Sequence, residues 1–310
     1  MELRQPLDAK ASGLMILLCM IWGIQQVVIK IAAPDISPMM QIAIRSGLAA
    51  VLIFPWVKLN EGKHLYSKEY LLPGMWLALL FSVEYIFVAE ALRYTTASHT
   101  VVLLCNAPIF VALGLNWKVP SEKLSNIQWA GIFVAFSGIV LSFIRTETSS
   151  NTHLSQVLYG DFLALLGGVT WALTTISLRL TKLSEVPPTQ TLFYQLAGAF
   201  IILVPVSYVM GQTMIQWTSI TIWSMVFHIF IMSLFSLILW FWLLKNYLAN
   251  ALGVFSFLTP LFGVVFGVLF LHEQIELNFI LGSLLVMFGI FIVSLHKWIK
   301  RTFQFSKLRF

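Results

Sequence analysis

Charge is scarce in this sequence. Asp, Glu, Lys and Arg make up only 10% of the 310 residues, 59% are hydrophobic, and mean hydropathy is +0.87. A soluble domain carries about 25% charged residues. The deficit leaves too few charges to coat a water-facing surface, and lipid is the abundant alternative for the apolar remainder. Cysteine is nearly absent as well. Cys19 and Cys105 lie inside apolar runs, show no metal-type spacing, and read as small buried apolar residues; a disulfide between them requires two touching helices. There is no Gly-x4-Gly-Lys-Ser/Thr phosphate cradle, no His-x-x-His-like metal motif and no Gly-x-Ser-x-Gly. Asp is missing from the apolar runs apart from Asp161 near one end. An enzyme is therefore not expected, nor is a cofactor or a metal. The formal charge of +6 is not gathered into one stripe, so no nucleic-acid partner is expected either.

What is present is a series of ten apolar runs, roughly 12–32, 38–57, 71–93, 95–117, 127–145, 158–181, 189–210, 219–244, 249–271 and 275–297. Each approaches the roughly 20 residues that a helix needs to cross a bilayer. They lack the ten-residue alternation of a β-barrel. The expected fold class is an all-α integral membrane protein of ten transmembrane helices. Pro34 to Pro38, Asn60 to Lys63, Pro120 to Ser125, Thr146 to Ser155, Pro187-Pro188 and Gly211 to Trp217 punctuate the runs. The first run ends in Ala32-Ala33 like a cleavable leader, but its length and its Gln25, Gln26 and Lys30 read as a retained helix.

Basic residues give the orientation. With the N-terminus in the cytoplasm, fifteen Lys and Arg fall on that side, from Arg4 and Lys10 to Lys307 and Arg309, against Lys30, Arg93 and Arg145 outside. The expectation is a multi-pass protein with both termini cytoplasmic. The tail 298–310 interleaves basic residues with Trp298, Phe303, Phe305 and Phe310, a pattern that can lie on an anionic inner leaflet.

The chain also reads as a duplication. Aligning Trp22 with Trp171 sets Lys30 against Arg179, and brings Pro38 against Pro188 and Pro55 against Pro205 within a residue. Later, Pro108, Glu122, Gly131 and Gly138 correspond to Pro260, Glu273, Gly282 and Gly289, with Glu-to-Gly and Gly-to-Gly steps of equal length in both copies. The expected organisation is a first repeat over 1–145, a linker over 146–157, a second repeat over 158–297 and the tail. Five helices per copy is an odd number, so the second copy is inverted. Two inverted repeats suit a carrier, because exchange of shape between related halves gives alternating access to a central site.

The sequence resembles the EamA family of ten-helix carriers within the drug/metabolite transporter superfamily. The resemblance is carried by Trp22-Gly23-Ile24-Gln25-Gln26 through Lys30, by Pro38 with Arg45, by Ala91-Leu92-Arg93-Tyr94-Thr95-Thr96-Ala97-Ser98, by Pro108, and by Glu122 and Glu273. It implies a carrier of a bacterial inner membrane that exports amino acids or related small metabolites along a gradient without ATP. Drug efflux is the alternative; import, a channel or a non-transport scaffold are further ones. The implied partners are a small-molecule substrate and membrane lipid, with protons as a possible coupling ion, in a monomer or homodimer.

Candidate residues follow from the cost of placing polar groups in lipid. Arg45 and Glu84 fall at similar depths from one face, so an ion pair between helices 2 and 3 is expected, either switchable or a fixed staple. Glu90 precedes Arg93 by three residues and reads as a local pair at the surface. His99 and His228 are candidates for proton coupling. Trp22, Gln25 and Gln26 share one face of helix 1, and Trp171, Thr174 and Thr175 hold the equivalent face of helix 6. With Asn106, Tyr194, Gln195 and Asn250 these are the candidate substrate-binding residues, an aromatic-plus-amide set suited to a zwitterionic or aromatic metabolite; interhelical hydrogen bonds are the plain alternative. Pro108 and Pro260 are candidate hinges. The paired glycines read as close helix contacts, and Glu122 and Glu273 as caps on the helices that follow them.

Overall fold

The computed structural model describes residues 8–61, 65, 67–118, 123–144, 151–247, 252, 255–256 and 258–307. Among these, secondary structure is helical apart from an isolated antiparallel bridge, Ile36 to Ile215. The helices are α1 (Ala9–Ala32), α2 (Pro38–Glu61), α3 (Lys68–Tyr94), α4 (Ala97–Leu104), α5 (Ala107–Lys118), α6 (Asn126–Phe143), α7 (Asn151–Leu180), α8 (Pro188–Val209), α9 (Ser219–Val226), α10 (Ser236–Asn246), α11 (Leu258–Leu271) and α12 (Leu277–Lys307). A π-helical stretch, Phe227–Phe235, joins α9 to α10.

Eight of the described rods are long and apolar enough to cross a membrane, counting α4–α5 as one and α9 to Trp240 as one. Two shorter apolar helices, Leu258–Leu271 and Leu277–Val293, accompany them. The outward surface is apolar: Val51, Leu59, Phe133, Val140 and Ile201 are all exposed. Arg45, Glu84, Gln25, Gln26, Gln41, His99, Asp161 and His228 are buried instead. That distribution inverts the soluble pattern and suits a multi-pass membrane protein. With no hydrophobic drive between rods in lipid, close packing of small residues takes its place.

The elements start where capping chemistry allows. Asp8 accepts from the Ala11 N–H at 2.7 Å, and that bond holds its carboxyl below the usual carboxylate range. Ser125 and Gln128 form a reciprocal capping box on α6. Gly211, at φ +67°, turns the chain after α8, where a side chain would be strained. Two boundaries differ from the sequence reading. Helix α7 begins at Asn151, inside the expected linker; its 30 residues reach about 45 Å, beyond a hydrocarbon core of about 30 Å, so a polar first turn projects. Helix α12 runs on to Lys307, so the backbone of the expected tail is largely a continuation of the last helix.

Neighbouring rods pair in a definite pattern. α1 packs on α11, α7 on α4 and α5, α2 on α8, α3 on α7 and α8, and α6 on α12. Glycines set the closest approaches. A Cβ on Gly23 would lie 2.8 Å from the Gly263 nitrogen. A Cβ on Gly131 would meet the Gly289 oxygen at 2.9 Å, and one on Gly138 the Gly282 oxygen at 2.6 Å. The second contact is the first with the two halves exchanged, and rising numbers in α6 meet falling numbers in α12.

Candidate functional site

A cavity of about 180 Å³ lies between rods of both halves. Trp22 of α1, Arg45 of α2, and Phe81 and Tyr85 of α3 form one side. Leu192 and Leu196 of α8 form another, with Met232, Ser233, Ser236 and Trp240 from the π stretch and α10 closing it. The indole N–H of Trp22 donates to Ser236 Oγ at 3.4 Å, and its ring meets Trp240 edge-on, centroids 5.5 Å apart. Phe81 and Tyr85, one turn apart, pack edge to face at 4.8 Å.

Arg45 is only 4% exposed. Its guanidinium stacks over Tyr85 at 4.9 Å. With its amide oxygen turned toward the guanidinium, Gln25 accepts from Arg45 Nη1 at 3.1 Å and Nη2 at 3.3 Å. Behind it lies a buried polar chain: Gln41 Oε1 accepts from Ser224 Oγ at 2.7 Å, and His228 Nδ1 lies 2.8 Å from the Ser224 carbonyl oxygen. The expected direct Arg45–Glu84 ion pair is not formed. The two charges act on each other through space, without contact within 4 Å, and Glu84 Oε2 is buried with no hydrogen-bond partner. Depth along two helices brought them to one level, but the rotation of each helix about its axis directs Arg45 onto α1 and Tyr85. Gln26 Oε1 is likewise buried and unpartnered.

A second polar cluster ties one end of the bundle. His99 Nδ1 lies 2.9 Å from Asp161 Oδ1, the ring stacks on Phe279 at 3.7 Å, and Nε2 is 3.6 Å from Glu276. Lys30 Nζ donates to the Thr95 carbonyl oxygen. Glu273 accepts from Ala97 N at 2.6 Å, Ser98 N at 3.0 Å and Ser98 Oγ at 2.6 Å. It therefore caps α4, not the helix that follows it; Glu122 lies outside the described residues. Glu90 accepts from Arg93 Nη1 at 3.0 and 3.1 Å and from the Gln212 amide. At the same end Ser37 Oγ donates to the Gln212 carbonyl oxygen at 2.6 Å, beside the Ile36–Ile215 bridge.

The remaining expected site residues are dispersed. Asn106 donates to the Val102 and Leu103 carbonyl oxygens, both at 3.2 Å, and occupies the break between α4 and α5. Pro108 follows it: with no N–H and a ring against the carbonyl four residues back, it divides the rod rather than merely bending it. Pro260 falls in the first turn of α11, where a missing N–H matters least. Trp171 is 40% exposed and takes no part in the cavity wall. Thr174 donates to the Thr170 carbonyl oxygen at 3.0 Å. Tyr194 lies in the second turn of α8, between the cavity residues Leu192 and Leu196 in sequence but outside the cavity wall, its hydroxyl donating to the Leu65 carbonyl oxygen at 2.7 Å, while Gln195 beside it is half-buried. Asn250 is outside the described residues.

The model of the EamA-like transporter family matches residues 9–144 and again 158–295. The chain belongs to this family. The transporter YoaV of Bacillus subtilis (strain 168), itself named uncharacterized, is 25% identical over 93% of this chain and 95% of its own length. An uncharacterized transporter of Archaeoglobus fulgidus is 26% identical over 93% and 98%. A probable amino-acid metabolite efflux pump of Escherichia coli (strain K12) is 25% identical over 92% and 95%. A solved structure recorded as "Crystal structure of protein" superposes with a TM-score of 0.62 at 13% identity, over 92% of this chain and 96% of that one, which supports the fold alone.

Several residues of this EamA-like chain escaped sequence reasoning. Tyr85 stacks on Arg45, Trp240 lines the same cavity, and Ser224 donates to Gln41 one turn away; Phe81 with Tyr85, at one-turn spacing, left a legible signal. Gln41 also precedes Arg45 by four residues, which sets both on one face of α2.

Proposed function

We propose that this chain is a secondary active transporter that exports amino acids or related small metabolites across a bacterial inner membrane, by alternating access between two inverted five-helix repeats. Ten spans with both termini cytoplasmic is the topology that goes with it, and no chemistry on the substrate is needed. The observation that carries the reading is the mid-bundle cavity: Trp22, Arg45 and Tyr85 of the first half face Ser236 and Trp240 of the second across it. The reciprocal crossing of Gly131 on Gly289 and Gly138 on Gly282 supports the repeat, because only a two-fold axis across the helices relates those contacts. The rod pairs support it too: α1 on α11 becomes α7 on α4–α5 when the halves are exchanged.

The ends differ in how firmly they are tied. One carries the buried His99–Asp161 pair, with the half-buried Glu273 capping α4 beside it. The other carries the Lys182–Glu69 pair, whose side chains are 57% and 46% exposed. An exposed pair contributes about 0–1 kcal/mol, so this end is the one that yields first. Counterflow in proteoliposomes tests the proposal. Labelled amino acid should enter faster when unlabelled substrate is preloaded on the opposite side. Equal rates with and without preload point to a pore, and no flux of any amino acid or metabolite sinks the reading.

A further inference from the structure

We propose that the cavity holds its substrate by a carboxylate docked on Arg45, with an apolar body of one ring or one branched chain against Trp22, Tyr85 and Trp240, and that a substrate amine is dispensable. This rests on the carrier reading above and narrows it. A guanidinium cannot give up its charge, so Arg45, 4% exposed, needs a counter-charge wherever the bundle carries it. Its direct partners are neutral: the Gln25 amide oxygen at 3.1 Å and the Tyr85 ring at 4.9 Å. Among the described residues, no Asp or Glu lines the cavity. Glu84, whose field it feels, is beyond 4 Å and keeps one buried oxygen without a hydrogen bond.

The planar fork of Arg45 matches a carboxylate in shape as well as charge. An amine finds no such match. The hydroxyls on the wall, Ser233 and Ser236, donate to the carbonyl oxygens of His228 and Met232, so an ammonium would meet neutral oxygens only. The cavity, about 180 Å³, slightly exceeds the roughly 150 Å³ void that takes benzene, which limits the body to one ring beside its carboxylate. Glu84 then has a defined part. Its carboxylate balances Arg45 when the cavity is empty and takes up a proton when the substrate carboxylate replaces it, so loaded and empty carriers are both neutral at this depth.

The test uses the full-length protein in nanodiscs, reading tryptophan fluorescence during titration with phenylacetate, phenylacetamide, phenethylamine and phenylalanine. Phenylacetate should bind about tenfold to a hundredfold more tightly than its amide, the range expected of a charge-assisted hydrogen bond, and phenylalanine no more tightly than phenylacetate. Arg45→Gln should erase the acid-over-amide preference and Arg45→Lys should reduce it. Should either variant fail to fold, the four ligands on the unaltered protein still decide. Equal affinity for acid and amide, phenethylamine matching phenylacetate, or no binding of any of the four overturns the proposal. If phenylacetate fails while an amino acid still shows counterflow, the Arg45 assignment falls and the carrier reading stands. If phenylacetate binds but no solute exchanges, the Arg45 assignment stands and the carrier reading falls.

Discussion

Single side chains in this bundle divide by whether their polar atoms are satisfied. Glu273 is fully used: two backbone N–H groups and a hydroxyl converge on its carboxylate. Glu273→Ala leaves the Ala97 and Ser98 N–H groups buried without an acceptor, at a cost of about 1–3 kcal/mol. A clear fall in the unfolding temperature of the purified protein is expected. Glu69→Ala, which removes only an exposed pair, should stay within about 1 kcal/mol of the parent. Similar losses from both would contradict this ranking of the two ends. Gln26 is the opposite case, with Oε1 buried and unpartnered. Gln26→Leu removes an unsatisfied group, so thermal stability should hold or rise while counterflow drops. A stability loss with unchanged transport would make Gln26 a structural residue.

Among the elements, the interrupted ones are the informative ones. The rod Ala97–Lys118 is divided at Cys105 and Asn106 because Pro108 cannot complete the helical ladder. Pro108→Ala restores the missing N–H and allows one continuous helix. The expected outcome is equal or higher melting temperature with counterflow slowed several-fold. Unchanged transport would reduce the break to a static kink. The π stretch Phe227–Phe235 is the other interruption. Such stretches are frequent at functional positions, and this one supplies Met232 and Ser233 to the cavity and holds His228 against the Ser224 carbonyl oxygen. No proline marks it in the sequence. The extra residue per turn comes from packing, so propensity could not reveal it.

For the whole molecule, alternating access requires one end to part while the other holds. Ile36 and Ile215 are bridged across two connections at the end that carries His99. Bridged antiparallel residues have Cα atoms about 4.5–5.5 Å apart, inside the disulfide range of about 4.4–6.8 Å. Cysteines at both positions should oxidise to a cross-link that halts counterflow, and a reductant should restore it. Cys19 and Cys105 are free thiols, so the parent protein supplies the control. Full counterflow in the cross-linked protein would mean that this end never opens, and the two-repeat mechanism would fail with it.

The sequence by itself determined the solvent, the helical class and the family. Each follows from composition, from uninterrupted apolar runs or from short local strings such as Trp22-Gly23 and Leu92-Arg93-Tyr94-Thr95, which need no knowledge of neighbours. It also marked Trp22, Gln25 and Arg45, because a polar group in an apolar run is costly wherever the run packs. Only the tertiary structure decided which of those groups meet. Trp171, the counterpart of Trp22, faces outward, Tyr194 anchors a loop, Glu273 caps a helix distant in sequence, and Arg45 turns to Gln25 and Tyr85 instead of Glu84. The reason is rotational. Sequence spacing gives the depth of a residue along its helix, whereas the angle of each helix about its own axis is set by glycine contacts and side-chain packing with neighbours that lie far away in the chain.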